Sequence, residues 1–249
     1  MSHGFMYKPF LDYLEQELFA RFDLQRRPIP KGLESRVSEK GKNPATVSSW
    51  CYQCSQLRKI RYTYIDAGES AQIFNGVIYP SHKYEIPIMG IDFLSFGKIK
   101  NLIVLDFQPL FRDEVYQQKY IKQLKVLHDK YPDLTQNLGM KFYDSNQYFS
   151  KYLLFAKIEP QIIATQLFTA YKEYLNLYWE MLEQAQQLVD PKDIQRIVQA
   201  QKDYDQYSAG RDPASGLFSS YFGHDWSERF LYEFLFEDAV SFTTASGKR

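Results

Sequence analysis

The stretch Glu85–Pro109, "EIPIMGIDFLSFGKIKNLIVLDFQP", decides the fold. It holds two runs rich in β-branched and aromatic residues, "EIPIMGIDFLSF" and "NLIVLDFQP", joined by "GKIK". A crossover between parallel strands needs a dozen or more residues, so a connection this short makes the two runs antiparallel neighbours. The same spacing continues upstream in "SSWCYQCS", "RKIRYTYID" and "SAQIFNGVIYP", with turns such as "AGE". From Val47 to Pro109 the chain therefore predicts an antiparallel meander. The nearly unbroken apolar "LIVL" suits a sheet covered on both faces.

Outside the meander the period changes to that of helices. "FMYKPFLDYLEQELFARF" carries Phe10, Leu11, Leu14, Leu18 and Phe19 at helical spacing. "RRPIPKGLESRVSEKGKNPA" reads as a basic loop punctuated by Pro and Gly. "RDEVYQQKYIKQLKVLHDKY" predicts an amphipathic helix with Val115, Tyr116, Tyr120, Leu124 and Leu127 on one face. "QYFSKYLLFAKI" predicts a further strand, and the segment 160–189 a long helix opened by Pro160. Helical stretches follow at Pro191–Tyr207 and Asp225–Phe236, separated by the loop "SAGRDPASG". One antiparallel sheet with helices before, within and after it makes an α/β protein, a three-layer α/β/α sandwich with a central antiparallel β-sheet. The 249 residues form a single domain, with flexible ends at 1–4 and 240–249.

Lys plus Arg and Asp plus Glu each number 30, so net charge favours no polyanionic partner, and the basic clusters are diluted by acidic residues. No nucleic acid is expected. No apolar run reaches the roughly 20 residues that span a bilayer, so no membrane is expected either. Aromatic residues make up 17%, which suits either an aromatic core or a pocket for a large planar ligand. Cys51 and Cys54 cannot close a metal site by themselves, and the four histidines show no ligand spacing, so no metal is expected. Glycine-rich nucleotide fingerprints and the nucleophile elbow are missing too.

Carboxylates remain. Asp92 sits among Ile91, Phe93, Leu94 and Met89, where an ionised carboxyl costs several kcal/mol to desolvate, on the order of the penalties for buried ions. It is either paired with a cation or the backbone, or held protonated toward a cavity. Asp106, before Pro109, fits a turn cap. Asp212, in "GRDPASG", fits a loop or helix cap or a second acid. Asn75 is a lone amide within a strand.

The whole chain from about Tyr7 to Phe236 resembles the ferredoxin-dependent bilin reductases, on the stretches "GLESRVSEKGK", "DAGESAQIFNGVIYP", "MGIDFLSFG", "VLDFQPL", "NQYFS", "DYDQYSAGRDPASGLFSSYFG" and "WSERFLYEFLF". The resemblance implies an α/β/α sandwich that binds a linear tetrapyrrole between the sheet and the C-terminal helices. It implies no tightly bound cofactor, reduced ferredoxin as donor of single electrons, and Asp92 and Asp212 as catalytic proton donors. Asn75, Met89, Asn101, Phe107, Ser150, Lys151 and Arg211 become candidate bilin contacts, with Ser150 and Lys151 set toward the propionates. Asn75 and Thr63 stand where the phycocyanobilin-forming members carry a histidine and a glutamate, which points to a two-electron branch. The closest likeness is to the members that reduce the C15=C16 bridge of biliverdin IXα on the way to phycoerythrobilin. Reduction of the A-ring diene of 15,16-dihydrobiliverdin and a non-catalytic bilin carrier are the alternatives. Ferredoxin docking on "RRPIPK", "RVSEKGK", "LRKIR" and "KYIKQLK", passage of product to the next reductase, a monomeric state, and a cytoplasmic or plastid-stromal location complete the expectations.

Overall fold

The computed structural model describes residues 6–38, 44–97, 100–136, 138–139, 143–144 and 146–240. The expected flexible ends lie outside them, apart from Val240, and so do Lys40 and Lys42 of the basic loop.

Eight strands form one sheet: β1 (Gln25–Arg26), β2 (Ser35–Val37), β3 (Thr46–Gln53), β4 (Leu57–Asp66), β5 (Ala71–Pro80), β6 (Ile88–Phe96), β7 (Lys100–Gln108) and β8 (Leu154–Ile158). Their order is β1-β3-β4-β5-β6-β7-β8, with β2 also beside β3, and the pairs between these strands are antiparallel. The meander read from the sequence is the body of the sheet. The strands β1 and β2 come from the segment read as loop, and each pairs with only two or three residues of β3. The strand expected from Gln147 is shorter: it begins at Leu154, because Ser150 is held in a turn by Asp106.

Helix α1 is Lys8–Arg21. A short turn Glu114–Tyr116 and a π-helical turn Gln117–Ile121 lead into α2, Leu124–Lys130. Val115, expected on the buried face of this segment, is 77% exposed. A second π turn, Ile163–Leu167, precedes α3, Phe168–Gln184. Helix α4, Pro191–Ala209, is capped by the Asp190 carboxylate, which accepts from Lys192 N. Two short helices follow, α5 (Ala214–Phe222) and α6 (His224–Arg229), and the chain then runs into a third π turn, Phe230–Leu235. Helix α5 is absent from the sequence reading because "ASG" favours a loop. Aromatic packing overrides it: Phe218 lies 4.9 Å from Phe230, and Phe222 4.9 Å from Trp226.

Strand alternation gives the sheet two unlike faces. One row of paired residues crosses it as Ser49, Thr63, Asn75, Asp92, Val104 and Phe155. The adjacent row, one residue along, is Tyr64, Phe74, Phe93 and Ile103, and points the other way. On that second face α1 and α3 supply a close-packed aromatic layer, with Phe93 5.2 Å from Phe10 and 5.8 Å from Tyr171. Helices α4 to α6 and the last π turn cover the first face.

Candidate functional site

A cavity of about 510 Å³ lies between the first face of the sheet and the C-terminal helices. That is within the range of ligand pockets. Its floor carries Arg61, Thr63, Asn75 and Asp92, which share one face because each sits at the right parity on β4, β5 or β6. Its far wall carries Tyr204, Tyr207 and Ser208 of α4, Asp212 and Pro213 of the following loop, Leu235 at the end of the last π turn, and Phe236 just after it. Tyr143, Tyr148 and Phe149 close one side. Tyr148 meets Tyr204 edge to face at 5.4 Å and lies tilted against Tyr207 at 5.0 Å. Flat aromatic surfaces of this kind suit a planar conjugated molecule.

Two carboxyls share the cavity. Burial pushes Asp92 from the ordinary carboxyl range up to about 7, and the negative charge of Asp212 adds to the rise. A hydrogen bond from Asn75 Nδ2 to Asp92 Oδ1, 3.0 Å, and the positive charge of Arg61 oppose it. Burial also raises Asp212, against the 2.8 Å hydrogen bond that its Oδ1 accepts from Ala214 N and against Arg61. Asp212 is thus a turn cap, as its sequence context suggested, and a cavity wall as well. Tyr143, buried against both carboxyls, is raised well above the ordinary phenol range, first by burial and then by their charges.

Arg61 was not among the site residues expected from sequence. It is 1% exposed. Its Nη1 donates to Asn75 Oδ1 at 2.6 Å, its Nε donates to Leu235 O at 3.0 Å, and its guanidinium lies 5.2 Å from the Phe236 ring centre. The alternation of "RYT" put Arg61 on the face of Thr63, and that parity is the signal that would have found it. Tyr204 and Tyr207 had only helical spacing to mark them.

Several expected contacts fall elsewhere and are corrected. Met89 and Phe107, paired across β6 and β7, face the opposite side, and Phe107 packs 5.2 Å from Tyr178 of α3. Asn101 is on that side too, accepting from Ser95 Oγ at 2.6 Å and donating to Ile158 O at 3.0 Å. Strand period two puts all three out of reach of the Asp92 side. Ser150 gives its Oγ and N to the two oxygens of Asp106, each at 2.6 Å, so it anchors the loop bearing Tyr148 and Phe149. Lys151 and Arg211 are exposed, over the rings of Tyr152 at 5.2 Å and Tyr207 at 4.2 Å. None of the three lines the cavity. The lysine that does is Lys157, at its rim.

The cluster "LRKIR" is not a surface patch. Lys59 is 1% exposed, donating to Phe234 O at 2.6 Å and lying 3.4 Å from Glu237, while Arg58 Nη2 lies 3.0 Å from Asp238. These side chains clamp the C-terminal segment onto β4. Lys119, Lys122 and Lys125 are exposed, with Lys125 paired to Asp129. Among the described residues no group of His, Cys, Asp and Glu has the makings of a metal site, and no helix is long and apolar enough to cross a membrane.

Residues 11–237 match the family described as ferredoxin-dependent bilin reductase. A protein of Nostoc punctiforme is 73% identical over 244 residues, spanning 98% of this chain and 100% of its own, and is named 15,16-dihydrobiliverdin:ferredoxin oxidoreductase. A protein of Gloeobacter violaceus with the same name is 64% identical over 235 residues, 94% of this chain and 96% of its own. Among solved structures, phytochromobilin synthase from tomato in complex with biliverdin superposes with a TM-score of 0.85 over 93% of this chain and 83% of that one. At 24% identity that likeness speaks for the α/β/α fold.

Proposed function

The chain belongs to the ferredoxin-dependent bilin reductases, and from that premise we propose that it reduces biliverdin IXα at the C15=C16 bridge to 15,16-dihydrobiliverdin. Two electrons arrive one at a time from reduced ferredoxin, and two protons add, one at each carbon of the former double bond. The observation that carries this reading is the Asp92 carboxyl, held at about 7 on the floor of an aromatic-walled cavity. Such a group holds a proton near neutral pH and is still acidic enough to release it to a bilin made basic by an electron. Asp212, across the same cavity, is the second acid. The aromatic walls and the clamp formed by Lys59 and Arg61 on the C-terminal segment exclude water from the one-electron intermediate.

The relatives' shared name supports this activity, and their cyanobacterial origin supports a cytoplasmic setting. A monomer that passes its product to the next reductase completes the reading. Ferredoxin docks through exposed cations such as Lys119 and Lys122 rather than through "LRKIR". Its contribution is screened by salt, so turnover falls as ionic strength rises, and turnover that ignores salt removes the docking face.

Anaerobic incubation with biliverdin and reduced ferredoxin tests the whole. A blue-shifted product lacking the C15=C16 double bond, identified by chromatography, is the expected result. A product reduced in the A-ring would overturn the regiochemistry, and an unchanged bilin would leave only a carrier. Asp92→Asn is expected to bind biliverdin and stall after the first electron, with a radical visible in paramagnetic resonance.

A further inference from the structure

Arg61, Asn75 and Asp92 form a chain of hydrogen bonds in which every direction is dictated by chemistry. A guanidinium has five N–H donors and no acceptor, so Arg61 Nη1 can engage Asn75 only through the amide oxygen, at 2.6 Å. That fixes the amide: Nδ2 is turned to Asp92 and donates to Oδ1 at 3.0 Å. Asp92 Oδ1 therefore accepts. A proton placed on that oxygen would confront the N–H of Asn75. Asp92 Oδ2 has no hydrogen bond with any described residue.

We propose that Arg61 is a positioning residue for the proton of Asp92: it orients the Asn75 amide, which reserves Oδ1 as an acceptor and confines the transferable proton to Oδ2. The inference rests on the reading of Asp92 as proton donor and adds which oxygen carries the proton and what enforces it. Arg61 is itself held by Leu235 O and by the ring of Phe236 at 5.2 Å, so closure of the C-terminal segment over the cavity and orientation of the acid share one side chain. The other charged or titratable groups set toward Asp92 are Asp212 from the loop before α5, Tyr143, and Tyr7 from the far face, and no hydrogen bond joins any of them to the Asp92 carboxyl.

Infrared spectra of the substrate-free protein near pH 6, with the Asp92→Asn spectrum subtracted, isolate the carbonyl stretch of the protonated Asp92. The wild type is expected to show one narrow band, lowered by the hydrogen bond on Oδ1. Arg61→Gln, whose side-chain amide both donates and accepts, frees Asn75 to flip and should give two bands. Biliverdin affinity should stay within about threefold and single-turnover reduction fall about tenfold, less than the roughly 100-fold or more expected when the acid itself is removed, because the carboxyl stays and only its orientation is lost. Arg61→Lys, again a donor-only cation, should restore the single band. One wild-type band in Arg61→Gln overturns the proposal and leaves the donor reading intact. Absence of any Asp92 band in the wild type overturns the donor reading itself. If Arg61→Gln does not fold, Asn75→Leu, which leaves Arg61 on Leu235 O, serves: its band should rise in frequency, and a band at the wild-type position overturns the proposal.

Discussion

Asp92 and Phe93 are consecutive residues of β6, yet they live in different chemical worlds. Phe93 is fully buried, in ring contact with Tyr7, Phe10, Phe74 and Tyr171. Asp92 faces a cavity, beside an amide, a guanidinium and a second carboxyl. The aromatic face is packed ring against ring, as protein interiors are, and fixes the sheet. The other face is left hollow, with Arg61, Thr63, Asn75 and Asp92 each hydrogen-bonded on its floor. A rigid floor is what keeps the Asp92 carboxyl in place over an open space.

Substitutions on the two faces are expected to have unlike effects. Phe93→Ala, on the filled side, should cost about 4 kcal/mol in urea unfolding, because a cavity opens where five rings met. A loss under about 1 kcal/mol would show that this face is not the scaffold. Asp92→Asn, one residue away, should leave folding intact and lower bilin reduction about 100-fold or more, measured by single turnover.

The same variant sharpens the electrostatics. The folded state lifts Asp92 from its ordinary value of 3.8 to about 7, so folded protein keeps a proton that the unfolded chain has already given up. Its contribution to stability therefore falls as pH rises from about 4 to about 7 and is flat beyond. Asp106, likewise lifted to about 7, is common to both proteins and cancels in the difference. Asp92→Asn should gain on the wild type across that window, by about 2 kcal/mol at pH 8 once solvation from the cavity is allowed for. A gap that is independent of pH would remove the raised value.

Smaller effects test the filled face. Tyr171 OH is buried there without a hydrogen-bond partner among the described residues. Tyr171→Phe should therefore stabilise the protein by about 1 kcal/mol in thermal unfolding. Met89→Leu, on the same face and once a candidate bilin contact, should change biliverdin affinity by less than about twofold. A larger change would return Met89 to the site.

Most of the architecture was legible because it rests on local signals. Short turns forced the antiparallel meander, and Asp92 betrayed itself by being charged where its neighbours were apolar. Helix α5 was not legible, since "ASG" is a weak helix former and only the packing of Phe218 and Phe222 on α6 and the turn beyond it makes it helical. The buried state of Lys59 and Arg61 was illegible for a related reason. A basic run reads as a surface until the carbonyls and carboxylates that hold it, from residues over 170 positions away, are in place.

By itself the sequence determined the antiparallel meander that forms the body of the sheet, the strands that carry Thr63, Asn75 and Asp92, and the family to which the chain belongs, since these follow from period, turn length and residue type. The tertiary structure alone decided which face is hollow. That choice depends on where α1 and α3 pack and where the C-terminal segment closes, and long-range contacts of this kind leave no local trace in the order of residues.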